Sequence, residues 1–315
     1  MKVVVLGKGL MLANLVLGVL DSGAELVGVF RYEQTCTSPF KLWLHDFFKP
    51  APEVTLLKKL NVNKIRLKSA NDPLFRKLMT TLNVDLIIIG TWKEKITKET
   101  FNLPTIATVN VHPSLLPKYR GPNPYLQTIL HGEKYSGVTI HLLSDKFDQG
   151  PILKQEKVEI LDTDTSKELR EKSVRTARTL VTELINDLNN KMLTPIVQNE
   201  KYATYFPNIS GDERMLDFKF QTTTEISRTV RALHPFLPCY IEYKNRFFIV
   251  NPYNFKILFE ESNANPGDII AKNPDMSSLT IVCRDKKAIR FTDLKLYKFG
   301  FLTKYFIKKF VKTIS

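Results

Sequence analysis

Short runs of β-branched and aliphatic residues recur along the first half of the chain. They occupy residues 2–7, 25–30, 62–67, 84–90, 105–111 and 137–143. Most are separated by stretches of helical period, such as residues 10–22 and 72–82. Near-continuous apolar strands that alternate with helices are typical of a parallel sheet covered on both faces. The pattern predicts an α/β domain of the Rossmann-like kind.

Residues 163–190 give the clearest helix pattern. Thr165 and Glu168 have the spacing of a capping box. An apolar stripe follows at helical spacing, formed by Leu169, Ala177, Leu180, Val181, Leu184 and Leu188.

The pattern of apolar and polar residues changes after this helix. Residues 191–208 contain two prolines and no sustained period, which predicts a linker. Several short strands joined by turns follow, and this spacing is typical of a small antiparallel barrel. The pattern predicts a first domain at 1–190, a linker at 191–208 and an OB-like β-barrel domain at 209–315.

Composition and charge narrow the class of protein. Of the 315 residues, 43% are apolar and 25% charged, which is typical of a globular chain rather than a disordered one. The 46 Lys and Arg against 32 Asp and Glu give a net charge of +14. This excess favours an anionic partner such as nucleic acid, a nucleotide-linked substrate or a membrane surface.

The cysteines and the N-terminus bear on the compartment. The three cysteines are far apart and lack metal-ligand spacing, so we expect reduced thiols, no metal and a cytoplasmic location. Residues 2–20 mimic a signal peptide, but a strand, a Gly7–Gly9 turn and a helix fit them better, and no cleavage pattern follows. No apolar run approaches about 18 residues, so no membrane span is expected.

Three polar residues carry the candidate chemistry. Asn110 lies near the end of the run 105–111, and His112 directly follows that run. Because they are two residues apart on a strand, their side chains share a face. Asp148 follows the next run. Because ligands bind at the carboxyl ends of strands in open α/β sheets, we expect the three groups to converge there.

An amide, an imidazole and a carboxylate suit the attack of an amine on an acyl carbon. Asn110 and a protonated His112 would donate hydrogen bonds to the oxygen that gains charge in the transition state. Asp148 would favour the protonated form of His112 and help to relay the proton from the amine to the leaving nitrogen.

The residues in and around these positions read NxHxSLLPxYRGxxP, followed by GVTxHxxxxxxDxGxI. This pair of motifs resembles the folate-dependent formyltransferase family, and the resemblance covers roughly residues 1–310. It implies transfer of a formyl group from 10-formyltetrahydrofolate, as co-substrate, to an amine, with Asn110, His112 and Asp148 catalytic and without a metal. It also implies a cis peptide at Leu116–Pro117. The implied folate-binding residues are Ile88, Ile89, Gly90, Thr91, Ser114, Leu115, Leu116 and Pro117.

The second half of the chain bears on the acceptor. The segments YATYFPNISGDERMLDF and EISRTVRALHPF, with a strand-rich basic end, resemble the family members that formylate initiator methionyl-tRNA. This implies a role in translation initiation, a tRNA partner held in part by residues 209–315, and a monomer. The basic stretch Lys304–Lys312 is consistent with an RNA-facing element, and the alternative for it is a membrane-surface helix.

Two features depart from the tRNA-modifying branch. The first turn reads Gly7-Lys8-Gly9-Leu10 instead of the GTPxFA pattern, and residues 31–50 lack a Lys/Arg-rich insert. A nucleotide-linked amino sugar or another small amine therefore remains the alternative acceptor. From another class, the chain could be an RNA- or folate-binding protein with a vestigial centre.

Three further groups of residues allow two interpretations each. We expect His141 to be structural rather than catalytic. For Arg120 the alternatives are shaping of the loop and pairing with a phosphate or a carboxylate. We expect Trp43, Phe47 and Phe48 to pack in the core, with a role at the acceptor as the alternative.

Overall fold

The structure is a computed structural model, and it describes residues 1–48, 50–209 and 212–297. The first sheet is built from six strands. They are β1 (Lys2–Gly7), β2 (Glu25–Arg31), β3 (Leu86–Gly90), β4 (Ala107–His112), β5 (Tyr135–Leu142) and β6 (Ile152–Glu159). Their order across the sheet is β2-β1-β3-β4-β5-β6. The α/β fold class predicted from the sequence is confirmed.

The direction of the last two strands corrects one part of that prediction. Strands β1 to β4 pair in parallel, whereas β5 is antiparallel to both β4 and β6. A parallel connection needs a crossover, usually a helix, that packs back onto the sheet. The helix between β4 and β5 groups instead with the second compact unit. Residues 62–67, also predicted as a strand, make a single bridge from Lys64 to Val29.

Nine α-helices occur in the described ranges. They are α1 (Gly9–Asp21), α2 (Glu33–Cys36), α3 (Pro39–Phe48), α4 (Pro52–Lys59), α5 (Pro73–Leu82), α6 (Lys98–Phe101), α7 (Pro124–Leu130), α8 (Ser166–Asn189) and α9 (Thr223–Leu233). In this part of the chain, none is both long enough and apolar enough to cross a bilayer.

Helix α5 illustrates how local chemistry fixes an element. The Asp72 side chain accepts a hydrogen bond from the backbone N–H of Leu74, and Pro73 occupies the first helical position. The helix ends at Asn83, which adopts the left-handed conformation with φ of 51°. Its buried face, with Phe75 and Met79, covers one face of the sheet.

The core of the first unit lies on both faces of the sheet. On one face, Val4, Leu6 and Phe30 pack in a single buried cluster with Phe75 and Met79 of α5. Because side chains alternate along a strand, Val3 and Val5 point to the opposite face, and both are fully buried. This burial on both faces explains why the strands read as unbroken apolar runs in the sequence.

Helices α1 and α8 are joined by hydrogen bonds as well as by packing. The Thr182 hydroxyl donates to the carbonyl of Gly18 at 3.0 Å. Arg178 makes two hydrogen bonds to Asp21, at 2.5 and 2.9 Å. A side chain at Gly18 would meet the Arg178 carbonyl at 2.6 Å, so glycine allows the close approach of the two helices.

Contacts divide the chain into two compact units. The first comprises residues 1–124, 135–159 and 170–206, and the second comprises 125–134, 160–169 and 207–315. The predicted boundaries at 190 and 209 remain a prediction. Residues 196 and 205 of the predicted linker form bridges to Ile152 and Arg120 of the first unit.

The second unit contains short antiparallel strands, which confirms the small β domain. They are β7 (Cys239–Tyr243), β8 (Arg246–Val250), β9 (Phe255–Leu258), β10 (Ile269–Lys272), β11 (Leu279–Val282), β12 (Ala288–Phe291) and β13 (Lys295–Leu296). Within 212–297 they form two sheets, ordered β10-β11-β12-β9 and β13-β8-β7. The basic stretch Lys304–Lys312 lies outside the described residues.

The expectation that Trp43, Phe47 and Phe48 pack in the core is wrong. They lie on α3, and their exposed fractions are 60%, 65% and 75%. Phe40, Trp43 and Phe47 stack on one another along the helix. Their helical spacing is what places them on one face. These apolar side chains stay exposed. The contact of α3 with the first sheet is polar at Asp46, which pairs with Arg31 at 2.6 Å.

The first sheet predicts a difference between two glycine substitutions. A Cβ at Gly7 would lie 2.4 Å from the backbone oxygen of Gly90 in the adjacent strand, which cannot move without disturbing the sheet. We expect Gly7→Ala to lower the free energy of unfolding by about 1–3 kcal/mol, as overpacked cores do. Gly28→Ala is the matched control in β2, because its nearest neighbour is the end of the Ile65 side chain at 3.2 Å. Thermal melting of both variants checks this, and equal melting temperatures would contradict it.

Candidate active site

Strands β4 and β5 bring three polar side chains to one place. Asn110 and His112 lie two residues apart on β4, so they share a face. His141 on β5 is the direct partner of Asn110 in the sheet register. The Nδ2 atom of Asn110 lies 3.1 Å from Nε2 of His141. The antiparallel pairing of these strands therefore sets the first contact of the site.

Asp148 reaches these residues through the loop that follows β5. Its φ of 57° is in the left-handed region, which is uncommon for residues other than glycine. Two residues on, a side chain at Gly150 would lie 1.8 Å from the carbonyl oxygen of Leu142. Only glycine fits this close approach, which folds the loop back towards the strand.

One carboxylate oxygen of Asp148 is the centre of the cluster. Oδ1 lies 3.4 Å from Nδ1 of His112, 3.5 Å from Nδ2 of Asn110 and 3.9 Å from Nε2 of His141. The other oxygen, Oδ2, accepts a hydrogen bond of 3.0 Å from the backbone N–H of Gly121. The three residues singled out in the sequence are thus brought together, although β5 runs opposite to the predicted direction.

Both ring nitrogens of His112 are engaged. Nε2 lies 2.9 Å from the carbonyl oxygen of Tyr119, which can only accept, so Nε2 carries a proton. Nδ1 then faces the Asp148 carboxylate at 3.4 Å. His112 therefore lies between a backbone carbonyl and a carboxylate.

His141 is held as a neutral ring. Burial lowers its pKa from 6.5 to about 4, with its hydrogen bond to the carbonyl of Leu142 and the charge of Asp148 acting in the opposite direction. Nδ1 donates to that carbonyl at 2.8 Å, so Nε2 is an acceptor. It accepts from the amide of Asn110, which fixes the amide with its nitrogen towards the carboxylate. Sequence reasoning assigned His141 a structural role and missed this contact, although its position opposite Asn110 follows once β4 and β5 are paired.

A cleft opens beside the cluster. Apolar side chains and the polar ends of the cluster share its lining. The lining includes Ile89, Trp92, Ile96, Asn110, His141, Leu143 and Asp148. An apolar wall with a few convergent polar groups is the usual form of a small-molecule site.

The predicted folate contacts fall in two places. Ile88, Ile89 and Gly90 are buried at the end of β3, Ile89 lines the cleft, and Thr91 is exposed. In the other group, the Ser114 hydroxyl donates to the carbonyl of Lys118 at 2.9 Å. Leu115 packs where a side chain at Gly137 would otherwise lie, and Leu116–Pro117 has a cis peptide bond, as the resemblance implied.

The carboxylate alternative for Arg120 is the one observed. Its guanidinium is buried and makes hydrogen bonds of 2.8 and 2.7 Å to Glu200. In the described part of the chain, no group of three or more His, Cys, Asp or Glu side chains is arranged to hold a metal ion.

Comparison with known proteins agrees with this fold. The family model described as formyl transferase matches residues 1–185, and the one described as formyl transferase, C-terminal domain, matches residues 208–298. The first match alone covers more than half of the chain. The chain therefore belongs to the formyl transferase family, and it is an enzyme of that class.

Individual relatives are named for tRNA in one case and solved with a nucleotide-linked amino sugar in another. A methionyl-tRNA formyltransferase of Natranaerobius thermophilus is 28% identical over 71% of this chain and 72% of its own length. A Helicobacter canadensis N-formyltransferase in complex with folinic acid and dTDP-3-aminofucose superposes with a TM-score of 0.64 at 18% identity, covering 94% of this chain and 100% of that one.

A third relative is larger than this chain. HypX of Aquifex aeolicus in complex with tetrahydrofolic acid superposes with a TM-score of 0.61 at 17% identity over 99% of this chain. The chain spans about half of its length, since 48% of that chain is covered. At these identities, the likeness to both solved structures shows a shared fold.

The neutral His141 predicts a pH dependence of stability. Its folded pKa, about 4, is below its ordinary value of 6.5, so between these pH values the unfolded state binds a proton that the folded state does not. Stability from this group is complete above pH 6.5 and falls as the pH drops towards 4, by up to about 3 kcal/mol. We expect His141→Gln to show a shallower loss over this range in chemical denaturation.

A substitution of the exposed His45 provides the control for this measurement. It removes a histidine without touching the buried cluster, so the loss of stability on acidification should match that of the wild type. If His141→Gln and the wild type lose the same free energy of unfolding between pH 6.5 and 4, His141 is not the buried neutral group described here.

Proposed function

We propose that this chain transfers a formyl group from 10-formyltetrahydrofolate to the free amino group of initiator methionyl-tRNA, as a monomer acting in the cytoplasm. The observation that carries the proposal is that Asn110 and His112 both approach one carboxylate oxygen of Asp148, beside an open cleft. Membership of the formyl transferase family supports the reaction type. Curated relatives named methionyl-tRNA formyltransferase support the acceptor.

Asn110 is the proposed donor to the oxygen of the formyl group. Its amide is already oriented by His141, whose neutral ring accepts one of the two N–H groups. The second N–H faces Oδ1 of Asp148 at 3.5 Å and borders the cleft, so a formyl oxygen bound there would replace this long contact. A donor fixed before the reaction stabilises the developing charge without being reorganised, which is the main advantage of such sites.

His112 and Asp148 are the proposed proton carriers. In the reaction, the amine nitrogen forms a bond to the formyl carbon, and the bond from that carbon to the donor nitrogen breaks. The proton released by the amine ends on the donor nitrogen. The pair can hold this proton in between, because Nδ1 of His112 faces the Asp148 carboxylate at 3.4 Å while Nε2 stays bonded to Tyr119.

This geometry changes the role proposed for His112 from the sequence. Direct donation from His112 to the formyl oxygen would need a free N–H, and both of its nitrogens already have partners. Asn110 is the better candidate for that contact, because it lines the cleft, which His112 does not, and its N–H lies at the long distance of 3.5 Å from Asp148. His112 acts through Asp148 in this proposal.

The cleft is suited to a flat, partly polar co-substrate. Trp92, Ile96 and Leu143 offer apolar surface, and Asn110 and Asp148 offer polar groups at the reacting end. The proposed folate contacts are the end of β3, from Ile88 to Thr91, and the loop from Ser114 to Pro117. Folate compounds in the solved relatives are consistent with this co-substrate.

The acceptor assignment has one alternative with support of its own. The segment after β2 carries exposed aromatic side chains on α3 rather than a basic surface. A nucleotide-linked amino sugar is therefore the second candidate, as in the Helicobacter canadensis relative. The net charge of +14 and the match of residues 208–298 to the C-terminal domain model favour the tRNA, with residues 209–315 as its proposed binding domain.

Replacement of Asn110 tests the reaction centre. We expect Asn110→Ala to lower kcat for formyl transfer by about 10²–10³, as the loss of one preorganised donor does. The assay is release of tetrahydrofolate from 10-formyltetrahydrofolate, with mass analysis of both acceptors. The matched control is Asn63→Ala, which removes an exposed asparagine that does not line the cleft. Near-full turnover by Asn110→Ala would mean that the assignment is wrong.

The dependence of kcat/KM on salt concentration distinguishes the two candidate acceptors. A tRNA held by several Lys and Arg contacts to phosphates should lose kcat/KM by orders of magnitude between about 50 and 200 mM salt. An amino-sugar nucleotide has few phosphates, so its kcat/KM should change little. Turnover of the amino sugar with none on charged initiator tRNA would reverse the order of the two acceptors.

A further inference from the structure

Asp148 is held at two points, one on its side chain and one on its main chain. Its carboxylate accepts from the N–H of Gly121 at 3.0 Å. Its carbonyl oxygen accepts from the side-chain amide of Gln198 at 2.9 Å, and the same amide donates to the carbonyl of Gly150 at 2.8 Å. Both amide protons of Gln198 are thus used on the turn that carries Asp148.

The two holding points are themselves connected through Arg120. The oxygen of the Gln198 amide accepts from Nη2 of Arg120 at 2.7 Å. Arg120 directly precedes Gly121, and its backbone is paired with residues 204 and 206 at 2.9 and 3.0 Å. A closed ring of contacts therefore runs from Gln198 to Arg120, along the chain to Gly121, to the carboxylate of Asp148, and through its carbonyl back to Gln198.

This ring is held in place because its hydrogen bonds are buried or partly buried. Gln198 and Arg120 are 6% and 5% exposed, so breaking either contact would leave polar groups without water. The turn needs such support, since Asp148 has a positive φ, which carries a conformational cost for a residue with a side chain. Gln198 lies in a part of the chain without helical or strand period, so no sequence pattern marks it.

We infer that Gln198 is a positioning residue for formyl transfer, which sets the Asp148 carboxylate against His112 and Asn110 without touching the substrate itself. The inference rests on the proposed function, because it assumes that Asp148 takes part in the reaction. Gln198 fixes the main chain of Asp148, and Gly121 fixes the direction of its carboxylate. Removal of the first point lets the carboxylate drift from the 3.4 Å contact with Nδ1 of His112.

The test uses Gln198→Met in the full-length protein, which keeps the size of the side chain and removes its hydrogen bonds. We expect kcat for formyl transfer to fall by about 10²-fold, since a displacement of about 1 Å can cost this much. The KM for 10-formyltetrahydrofolate should stay close to that of the wild type. Gln127→Met is the matched control, because Gln127 is also 6% exposed and its amide donates to the carbonyl of Pro207 in the second unit. It should retain kcat.

A double-mutant cycle with Asp148→Asn separates a positioning role from a structural one. If Gln198 acts through Asp148, the Gln198→Met substitution should change kcat by less than about twofold in the Asp148→Asn background. An equal loss of kcat in both backgrounds would overturn the inference, as would full kcat in the single variant. Full kcat in Asp148→Asn would also overturn the inference, whereas absence of formyl transfer by the wild type would overturn the proposed function, so the two failures are distinguishable.

Gln198→Glu is the second variant if Gln198→Met does not fold. It keeps an oxygen for Arg120 and replaces the amide nitrogen that donates to the carbonyls of Asp148 and Gly150. We expect a folded protein with a lowered melting temperature, because two carbonyls lose their donor, together with a loss of kcat. A Gln198→Glu protein that folds and keeps full kcat would also overturn the inference.

Discussion

The site depends on the position of one carboxylate oxygen. Oδ1 of Asp148 lies within 3.4–3.9 Å of Asn110, His112 and His141. The oxygen reaches this point only because the loop after β5 folds back. Glycine at position 150 and the left-handed backbone of Asp148 make the fold possible. Packing of the sheet provides the rigid base against which the loop is held.

The two histidines show how burial and partners divide roles between identical side chains. His141 is neutral, because burial lowers its pKa, and its unprotonated nitrogen orients the amide of Asn110. His112 has a carbonyl on one nitrogen and a carboxylate on the other, which suits the carriage of a proton. One histidine therefore orients the Asn110 amide, and the other is the candidate for proton transfer. The strand register, which places His141 opposite Asn110, decides which is which.

A segment without regular structure supports the centre as much as the strands do. Residues 191–208 have no periodic pattern, so the sequence suggests a connection and nothing more. In the structure, residues 196–206 pair with β6 and with the loop around Arg120, and they supply Gln198. Hydrogen bonds from side chains to main-chain carbonyls leave no trace in hydrophobic periodicity. Such support is therefore missed by pattern, even where the catalytic motif is recognised.

Residue type and spacing were enough to predict the α/β class, the small β domain and the three polar residues that meet beside the cleft. Buried strands and specific motifs are visible without coordinates. Tertiary contacts set the antiparallel direction of β5, the neutral state of His141 and the exposure of Trp43 on α3. Each of these depends on contacts between segments that are far apart in the sequence. The free energy of such a contact depends on both surfaces, so it cannot be read from one segment alone.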